Sequence, residues 1–396
     1  MDNKNVIVVG AGASGIFTAL AIKKKNPSYR VTIIEKNNKI GKKLAATGNG
    51  KCNILNSCVN EYSYNDYSLF NKDEIYDYVS SYINENFGIK LKQIGNLNYP
   101  YNESANTLLL LLQGLLKQYE VEVRLEEMVI DYEFADTKYM VLTNKNKYKC
   151  DDLVIASGNK SAPKFGSDGN LFTILQKHGY QFSSFLPGLC PIKTCEKTKD
   201  VSGQRLKANV SLYVNDQKTY AESGEVLFKD DGLSGIVIMN ISSIIARHYN
   251  NNDRYFLSLD LFENNNEYDL INTLSEINEK GNKSFNPLLS LFNKPIVDYI
   301  LKRIKIEDKV YYSEKEISVI AHALKDFRFS FNDFYTFSDS QVTVGGIEIT
   351  NIKNTFESKI EPHVFILGEL LNIDGLCGGY NLMFAIYSAL MASDNI

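Results

Sequence analysis

A short apolar run followed by spaced glycines constrains this chain more than any other feature. The run Val6–Val9 is too short for a core helix and predicts a buried parallel strand. Gly10, Gly12 and Gly15 follow it in the order G-x-G-x-x-G. In this pattern the first glycine makes the tight turn, the second lets backbone approach a pyrophosphate, and the third lets the next helix pack on the strand. The pattern therefore predicts a dinucleotide-binding turn.

The acidic residue that completes such a motif is also present. Apolar residues at helical spacing predict a helix over residues 13–25, and Asn26-Pro27 predicts its end. A second apolar strand, Val31–Ile34, leads to Glu35, where a carboxylate can accept from the ribose hydroxyls of an adenosine. A glycine-rich turn in an ordinary α/β domain does not account for Glu35, so we predict a dinucleotide site.

The composition favours a cytoplasmic enzyme of two or three domains. The chain has 396 residues, more than one hydrophobic core usually supports. Its net charge of −4 gives no basic field, so we expect a small-molecule substrate and no nucleic-acid or membrane partner. No apolar run approaches the roughly 18 residues of a membrane span. The histidines lack the spacing of metal ligands, so we predict no metal site.

The region after Glu35 is a loop followed by mixed structure. Residues 37–56 are dense in glycine, lysine and amides, which suits an anion or the polar edge of a ring, although a solvated basic loop is the alternative. Amphipathic patterns predict helices over 72–87 and 104–119. Four short strands between 121 and 150, beginning with 121–125, predict a β-meander. A buried strand over 153–156 then runs into Ser157-Gly158.

The middle of the chain has the pattern of an insertion. Pro187-Gly188 and Pro191 mark its start, strands are predicted at 206–214, 225–229 and 255–261, and a helix is predicted at 236–248. Residues 267–326 are nearly all helical in pattern, with a break expected at Gly281-Asn282. The predicted domains are 1–188 and 341–396 for the dinucleotide-binding domain, 189–265 with 327–340 for a β-rich insertion, and 266–326 for a helical subdomain.

Glycines return at the C-terminus. A buried strand, Val364–Leu367, ends in Gly368-Glu369. Gly378-Gly379 then opens an apolar helix, whose free N–H groups would face a partly negative group. Asp374, just before it, suits a contact with a ribityl hydroxyl. The alternative is a glycine-rich helix start that binds no ligand.

Together these motifs resemble the BaiN/aminoacetone-oxidase family of bacterial FAD-binding oxidoreductases. The resemblance covers most of the chain and is strongest at its two ends. Lys51 stands where many family members have Arg, which keeps the charge but loses bidentate geometry. Besides the first glycine motif with Glu35-Lys36, the segments that carry it are Ala46–Asn53 (ATGNGKCN), Gln341–Ile347 (QVTVGGI), Thr355–Lys359 (TFESK) and Asp374–Asn381 (DGLCGGYN).

The resemblance implies an α/β fold and a set of cofactor contacts. The fold would be a two-dinucleotide-binding, Rossmann-like FAD domain with an inserted β-barrel-like domain and a helical subdomain. The loop Thr47–Asn53 and the helix start Gly378–Asn381 would meet the flavin. Tyr380 is a candidate proton relay, with packing against the ring as the alternative. The predicted cofactor contacts are Gly10, Gly12, Ala13, Ser14, Gly15, Glu35, Lys36, Lys43, Thr47, Gly48, Asn49, Gly50, Cys52, Asn53, Val129, Ser157, Gly158, Gly368, Glu369, Asp374, Gly378, Gly379, Tyr380 and Asn381.

These features predict an FAD-dependent oxidoreductase that acts on a small organic substrate by hydride transfer through non-covalent FAD. NADH or NADPH is the expected electron donor, although the chain has one good G-x-G-x-x-G and so lacks a second Rossmann motif for it. An oxygen-dependent, aminoacetone-type amine oxidase is an alternative, as is a non-catalytic flavin sensor. A flavin-dependent nucleic-acid-modifying enzyme is a further class, which the acidic pI disfavours.

Overall fold

A computed structural model describes residues 3–280 and 284–396. The chain divides into two compact units. One, the sheet unit, runs up to Pro187 and resumes at Phe337–Ile396; the other, the barrel unit, is Gly188–Thr336. The predicted break at Gly281-Asn282 lies outside the described residues. Within those residues, no helix has the length and apolarity needed to cross a bilayer.

The regular elements are numbered here in chain order. The strands are β1 Asn5–Val9, β2 Arg30–Ile34, β3 Leu55–Asn56, β4 Leu91–Ile94, β5 Leu97–Pro100, β6 Glu122–Arg124, β7 Val129–Ala135, β8 Lys138–Thr143, β9 Lys147–Cys150, β10 Asp152–Ile155, β11 Leu186–Gly188, β12 Ile192–Thr194, β13 Arg205–Val214, β14 Gln217–Lys229, β15 Gly232–Ser234, β16 Tyr255–Asp260, β17 Phe327–Phe334, β18 Val342–Val344 and β19 Val364–Ile366. The α-helices are α1 Ala13–Lys25, α2 Lys42–Ala46, α3 Ile75–Phe87, α4 Ala105–Gln118, α5 Phe172–Lys177, α6 Ile236–Arg247, α7 Glu267–Lys280, α8 Lys294–Ile304, α9 Glu314–Lys325 and α10 Tyr380–Ser393.

A five-stranded parallel sheet forms the centre of the sheet unit. Its strand order is β19-β10-β1-β2-β6, and Val8 of β1 lies opposite Val154 on one side and Ile33 on the other. Both faces are covered, which is why β1, β2, β10 and β19 are short apolar runs rather than alternating ones. Since the strands are parallel, their carboxyl ends share one edge, where ligands bind in open α/β sheets.

Two helices from opposite ends of the sequence pack against each other in this unit. α1 follows β1, and α10 is close to the C-terminus. Their buried side chains include Phe17 and Leu20 of α1 and Phe384 and Ile386 of α10, each no more than 2% exposed. The packing makes one core from sequence-distant segments and confirms the predicted α/β class.

The structure corrects the predicted meander. Residues 122–124 were expected to form its first strand with 128–134, but β6 pairs in parallel with β2 as an edge of the main sheet. Of the four strands predicted for the meander, only β7, β8 and β9 form one antiparallel sheet. The local pattern indicated a strand correctly, but a strand's partner is chosen by tertiary packing, which a short alternating run does not encode. The hairpin of β4 and β5, turning at Gly95 with φ of +59°, was not predicted.

The barrel unit contains a closed six-stranded barrel. Its strand order is β12-β15-β14-β13-β16-β17, and inward residues such as Val210, Leu257 and Phe329 are fully buried. This confirms the predicted β-barrel-like insertion. β14 begins eight residues before the predicted start at Glu225. The prediction missed its first half because that half is polar and mostly exposed, so it lacks the apolar alternation that marks a strand. α7, α8 and α9 occupy the predicted helical region, and Ser313 with Glu316 forms a capping box at α9.

Candidate cofactor site

Two of the three glycines between β1 and α1 are tightly packed. Gly10 has φ of +101°, and a Cβ built on it would lie 2.5 Å from the carbonyl oxygen of Ala156. A Cβ on Gly15 would lie 1.9 Å from the carbonyl oxygen of Gly10. The turn therefore needs glycine at both positions to bring α1 against the sheet. Ser157 follows Ala156, and its Cα is 3.2 Å from the same Gly10 Cβ position.

Gly12 has a different environment. A Cβ built there has no atom within 4 Å, and its φ of −78° is open to any residue. α1 begins at Ala13 with no side-chain cap, so the backbone N–H groups of Ala13 and Ser14 have no intrahelical partner. Open space beside uncapped N–H donors at a helix start suits a pyrophosphate.

Glu35 lies at the end of β2 and is 8% exposed. Its Oε2 accepts from the Ala11 backbone N–H at 2.8 Å, and its Oε1 accepts from the backbone N–H and side-chain amide of Asn37 at 2.8 and 2.7 Å. A carboxylate has about four lone-pair positions, so one remains for a ribose hydroxyl. Glu35 thus joins the glycine turn to the loop after β2 and keeps capacity for a ligand.

Two further predicted cofactor contacts, Lys36 and Val129, lie near Glu35 in different environments. The Lys36 ammonium pairs with Asp168 and donates to Asn170 Oδ1 at 3.0 Å, so its charge is already balanced within the protein. Val129 is a buried residue at the start of β7. It follows Glu127, whose backbone N–H donates to the carbonyl oxygen of Glu35 at 3.0 Å. The structure therefore brings the segment leading to Val129 beside Glu35.

The carboxyl ends of β10 and β19 meet the glycine turn. Gly368, after β19, has φ of +61°, and a Cβ there would lie 2.3 Å from Ser14 Oγ. Gly158, after β10, has φ of +71°, with Ser167 Oγ 2.9 Å from its Cβ position. The C-terminal strand therefore reaches the first turn of α1, as a cofactor domain made from both chain ends requires.

An ion pair joins sequence positions 326 residues apart at this edge. Lys43 of α2 donates to Glu369 Oε2 at 2.6 Å, with both side chains less than a third exposed. Glu369 Oε1 accepts from the Ser161 hydroxyl and from the Thr343 backbone N–H at 3.0 Å. Lys43 and Glu369 therefore fix each other's positions and tie α2 to the loops after β10 and β19. Asn159, two residues before Ser161, is fully buried, and its side-chain amide donates to the Glu369 carbonyl oxygen at 2.9 Å.

The segment Thr47–Asn53 is a compact turn with repeated left-handed residues. Gly48, Asn49 and Gly50 have φ values of +56°, +53° and +85°, and Cys52 has +59°. Consecutive turns of this kind expose backbone N–H groups to an anion or a polar ring edge. Cys52 itself is buried, which raises the pKa of its thiol to about 11 and keeps it protonated at neutral pH. The turn is therefore a source of backbone donors rather than of a reactive thiolate.

This turn lies beside the start of α10. Asn53 Oδ1 is a buried acceptor with no hydrogen-bond donor among the described residues, and it is 3.0 Å from the Cβ position of Gly379. Gly378 and Gly379 have φ values of +124° and +98°, and α10 has no side-chain cap. An acceptor that lacks a donor and an uncapped helix start together fit the hydrogen-bonding edge of an isoalloxazine ring.

Asp374, Tyr380 and Asn381 complete the predicted set. Asp374 is buried, and Asn381 binds the Gly375 backbone through both ends of its amide. The Tyr380 hydroxyl donates to the Cys58 carbonyl oxygen at 2.6 Å. That bond fixes the position of the Tyr380 hydroxyl, and the predicted roles of Tyr380 as a proton relay or as a packing partner of the flavin ring stay predictions.

Sequence reasoning missed the segment that contacts residues 372–379, just before α10, and the start of that helix. Asn56 donates to the Gly378 carbonyl oxygen at 2.9 Å, Asn65 accepts from the Asp374 backbone N–H, and the Tyr64 hydroxyl donates to the Tyr380 carbonyl oxygen at the start of α10. No local signal marks them, because asparagine and tyrosine are abundant throughout the chain. Among the residues described, no group of three or more His, Cys, Asp or Glu side chains could hold a metal ion.

Comparison with known proteins identifies the family of the chain. Residues 4–395 match the family model described as the HI0933-like protein Rossmann domain. Together with the fold and site, that match defines the class, an FAD-dependent oxidoreductase built on a Rossmann-type domain. The chain belongs to the HI0933-like family, the BaiN-type group that the sequence motifs resembled. That resemblance is confirmed.

Three curated relatives align with the chain over nearly its whole length. A 3-dehydro-bile acid delta(4,6)-reductase from Clostridium scindens is 26% identical, and the alignment covers 97% of each chain. A ribosomal RNA dihydrouridine synthase from Haemophilus influenzae is 24% identical, covering 97% of this chain and 96% of the relative. The enzyme of the same name from Escherichia coli is 26% identical, covering 100% and 98%.

Proposed function

We propose that the protein binds one non-covalent FAD along the carboxyl edge of its parallel sheet. The pyrophosphate would lie over Gly12 at the start of α1, and the adenosine ribose would bind Glu35. The flavin would lie between the Thr47–Asn53 turn and the start of α10. Two observations support this placement: the open space at Gly12 lies at the start of α1, and the unpaired acceptor Asn53 Oδ1 lies beside Gly379 at the start of α10.

We infer that the reaction is reduction of a carbon–carbon double bond conjugated to a carbonyl in a small organic substrate. NADH or NADPH would give up a hydride and become NAD⁺ or NADP⁺, and the double bond would gain a hydride at its β-carbon and a proton, taken from solvent, at its α-carbon. FAD supplies hydride transfer when bound, and the residues described above supply binding and orientation. Conjugation to a carbonyl makes the β-carbon electrophilic, so it accepts hydride.

The observation that carries this proposal is the end-to-end similarity to the bile acid reductase. Its name denotes reduction of double bonds in a 3-oxo compound. A Rossmann-type FAD domain alone is compatible with many reactions, so the choice of reductase over oxidase rests on this relative. The prediction of a small-molecule substrate is kept.

Reduction of uracil in ribosomal RNA is a second candidate. It is favoured by the two dihydrouridine synthases, which align with the chain as completely as the bile acid reductase does. The C5–C6 double bond of uracil is conjugated to the C4 carbonyl, so the chemistry is the same and only the molecule that carries the double bond differs. The net charge of −4 provides little general attraction for a phosphate backbone.

An anaerobic two-step experiment separates these candidates. The FAD-loaded protein is mixed with NADH, NADPH or aminoacetone, and bleaching of the flavin absorbance is followed. The reduced protein is then mixed with a 3-oxo-Δ4,6 steroid acid, a ribosomal RNA transcript or oxygen. Our proposal expects bleaching by one nicotinamide and rapid reoxidation by the conjugated ketone, with saturation of one of its two carbon–carbon double bonds.

The other outcomes point elsewhere. Reoxidation by the transcript alone, with a uridine gaining two hydrogens, would establish the RNA reaction. Bleaching by aminoacetone and reoxidation by oxygen would indicate the amine oxidase. A flavin that no donor bleaches would contradict a reductase and favour the sensor.

A further inference from the structure

The loop 372–379, here called the C-terminal loop, is held by a segment from the N-terminal third of the chain. We infer that this segment, residues 56–65, positions the C-terminal loop for the flavin, and that Asn65 is its main positioning residue. The inference rests on the proposed FAD placement and is independent of the substrate.

Asn65 holds the C-terminal loop through three hydrogen bonds, although it is 309 residues from Asp374 in sequence. Its Oδ1 accepts from the Asp374 backbone N–H at 2.9 Å, and its backbone N–H donates to the Asp374 carbonyl oxygen at 3.1 Å. Its Nδ2 donates to the Asn372 carbonyl oxygen at 3.1 Å. Both backbone polar groups of Asp374 are therefore bound by one distant residue.

Neighbours of Asn65 extend the contact. Tyr64 is 3% exposed, and its hydroxyl donates to the Tyr380 carbonyl oxygen at 2.7 Å. Burial raises the pKa of the Tyr64 phenol well above its usual value, so it remains a neutral donor. Ser63 accepts from the Leu376 backbone N–H through its carbonyl oxygen at 2.9 Å. A Cβ on Gly375 would lie 3.0 Å from the Tyr64 ring, so the loop passes close against that ring.

Asn381 holds the adjacent residue of the loop in a similar way. Its Oδ1 accepts from the Gly375 backbone N–H and its Nδ2 donates to the Gly375 carbonyl oxygen, both at 2.8 Å. Asn381, however, belongs to α10, which continues directly from the loop, so it fixes local shape. Asn65 belongs to a separate segment, so it fixes where the loop lies relative to the rest of the sheet unit.

This arrangement predicts a preorganised flavin side. The backbone groups of Asp374 and Gly375 have protein partners without the cofactor, so the loop need not be ordered when FAD binds. Preorganisation of this kind raises affinity by lowering the entropic cost of binding. Removing the Asn65 side chain deletes two of its three bonds to the loop and leaves the backbone bond to Asp374.

The test compares Asn65→Ala with Asn71→Ala. Asn71 is also exposed and also accepts through its side chain from a nearby backbone N–H, that of Asp73 at 3.0 Å, but it does not contact the C-terminal loop through any described hydrogen bond. FAD dissociation constants and visible flavin spectra are measured for wild type and both variants. We expect Asn65→Ala to raise the dissociation constant about tenfold and to change the spectrum, and Asn71→Ala to stay near wild type.

A third variant, Asn65→Asp, should recover part of the FAD affinity that Asn65→Ala loses. It keeps the acceptor for the Asp374 N–H and loses the donor to Asn372, so its dissociation constant should lie between those of wild type and Asn65→Ala. If Asn65 only stabilised the fold, FAD affinity would not follow this order. A lower unfolding temperature with unchanged FAD affinity and spectrum would overturn the inference and leave FAD binding intact. Failure of wild type itself to bind FAD would overturn both this inference and the proposed function.

Discussion

The two glycine-rich helix starts of the sheet unit are built differently. Both α1 and α10 begin without a side-chain cap. At α1 the contact that packs the helix on the strand is made within one strand–turn–helix motif, since Gly15 lies on the Gly10 carbonyl oxygen, while Gly10 also packs on Ala156 after β10. At α10 they are made with distant segments: a Cβ on Gly379 would lie 2.8 Å from the Leu55 carbonyl oxygen.

The α1 motif is defined mainly by residues that are close in sequence, whereas the start of α10 is formed by segments that are far apart in sequence. At the α1 turn, the glycine spacing and the acidic residue lie within a short stretch of chain, although Gly10 also packs on Ala156. The shape of the α10 start depends on residues 56–65, more than 300 positions earlier. We therefore expect changes at α1 to act through local sterics, and changes at α10 to act through long-range support.

The largest expected effect tests the local character of the first site. Gly15→Ala would place a methyl group 1.9 Å from the Gly10 carbonyl oxygen, and no flexible side chain can move to relieve the clash. The free energy of unfolding should fall by about 3 kcal/mol, and FAD binding should be lost with it. Urea denaturation of the cofactor-free protein measures the first quantity, and flavin fluorescence measures the second.

Gly12→Ala is the matched control within the same turn. Its methyl group meets no protein atom within 4 Å at an ordinary φ, so stability should change by less than about 0.5 kcal/mol. FAD affinity should nevertheless fall at least about tenfold, because the methyl group would occupy the space proposed for the pyrophosphate. Normal FAD affinity in Gly12→Ala would mean that the pyrophosphate does not lie there.

The next effect concerns the adenosine end. Glu35→Gln removes the charge that receives the Ala11 and Asn37 donors and, as we propose, a ribose hydroxyl. Hydrogen bonds to charged groups contribute about 1.5–3 kcal/mol, so FAD affinity should fall about tenfold to a hundredfold. Calorimetric titration with FAD and, for comparison, with FMN measures the loss.

FMN lacks the adenosine, so its affinity should be nearly unchanged in Glu35→Gln. An equal loss for both ligands would mean that Glu35 acts only by holding the glycine turn. That result would make the α1 and α10 helix starts more alike, because the shape of the α1 turn would then also depend on the side chain of Glu35.

The α1 site could be predicted from the sequence because its evidence is local. The apolar strand, the three spaced glycines and Glu35 at the end of the next strand all fall within 30 residues, and each has a steric or hydrogen-bonding reason. Gly378 and Gly379 were also recognised from the sequence, because two glycines directly before an apolar stretch indicate the start of a helix. The expectation that these glycines and the turn Thr47–Asn53 contact the same flavin came from the family resemblance.

Support from distant residues could not be predicted in the same way. Asn65 is one asparagine among many, and neither its spacing nor its neighbours indicate a partner at Asp374. The Lys43–Glu369 ion pair and the pairing of β6 with β2 are similar cases. Such contacts are chosen by the packed fold, so a single sequence shows the residues but not their partners.

The last expected effect concerns the α10 start and is a change of reduction potential rather than of affinity. Asn381→Asp keeps the acceptor for the Gly375 N–H, loses the donor to the Gly375 carbonyl oxygen, and adds a negative charge at the first turn of the helix. If the reduced flavin carries negative charge beside this turn, the added charge disfavours reduction. At an effective dielectric near 20 a charge within several ångströms costs a few kcal/mol, so the reduction potential should fall by roughly tens of millivolts. Anaerobic titration against a reference dye measures it.

Asn381→Ser separates charge from geometry. Serine loses the two-sided hold on Gly375 without adding charge, so it should loosen the C-terminal loop and weaken FAD binding while leaving the potential close to that of wild type. Equal potentials in Asn381→Asp and Asn381→Ser, both below wild type, would assign the shift to loop geometry, as at Asn65. A potential unchanged in both would mean that the start of α10 does not face the reducible ring, and the two helix starts would then not serve the same cofactor.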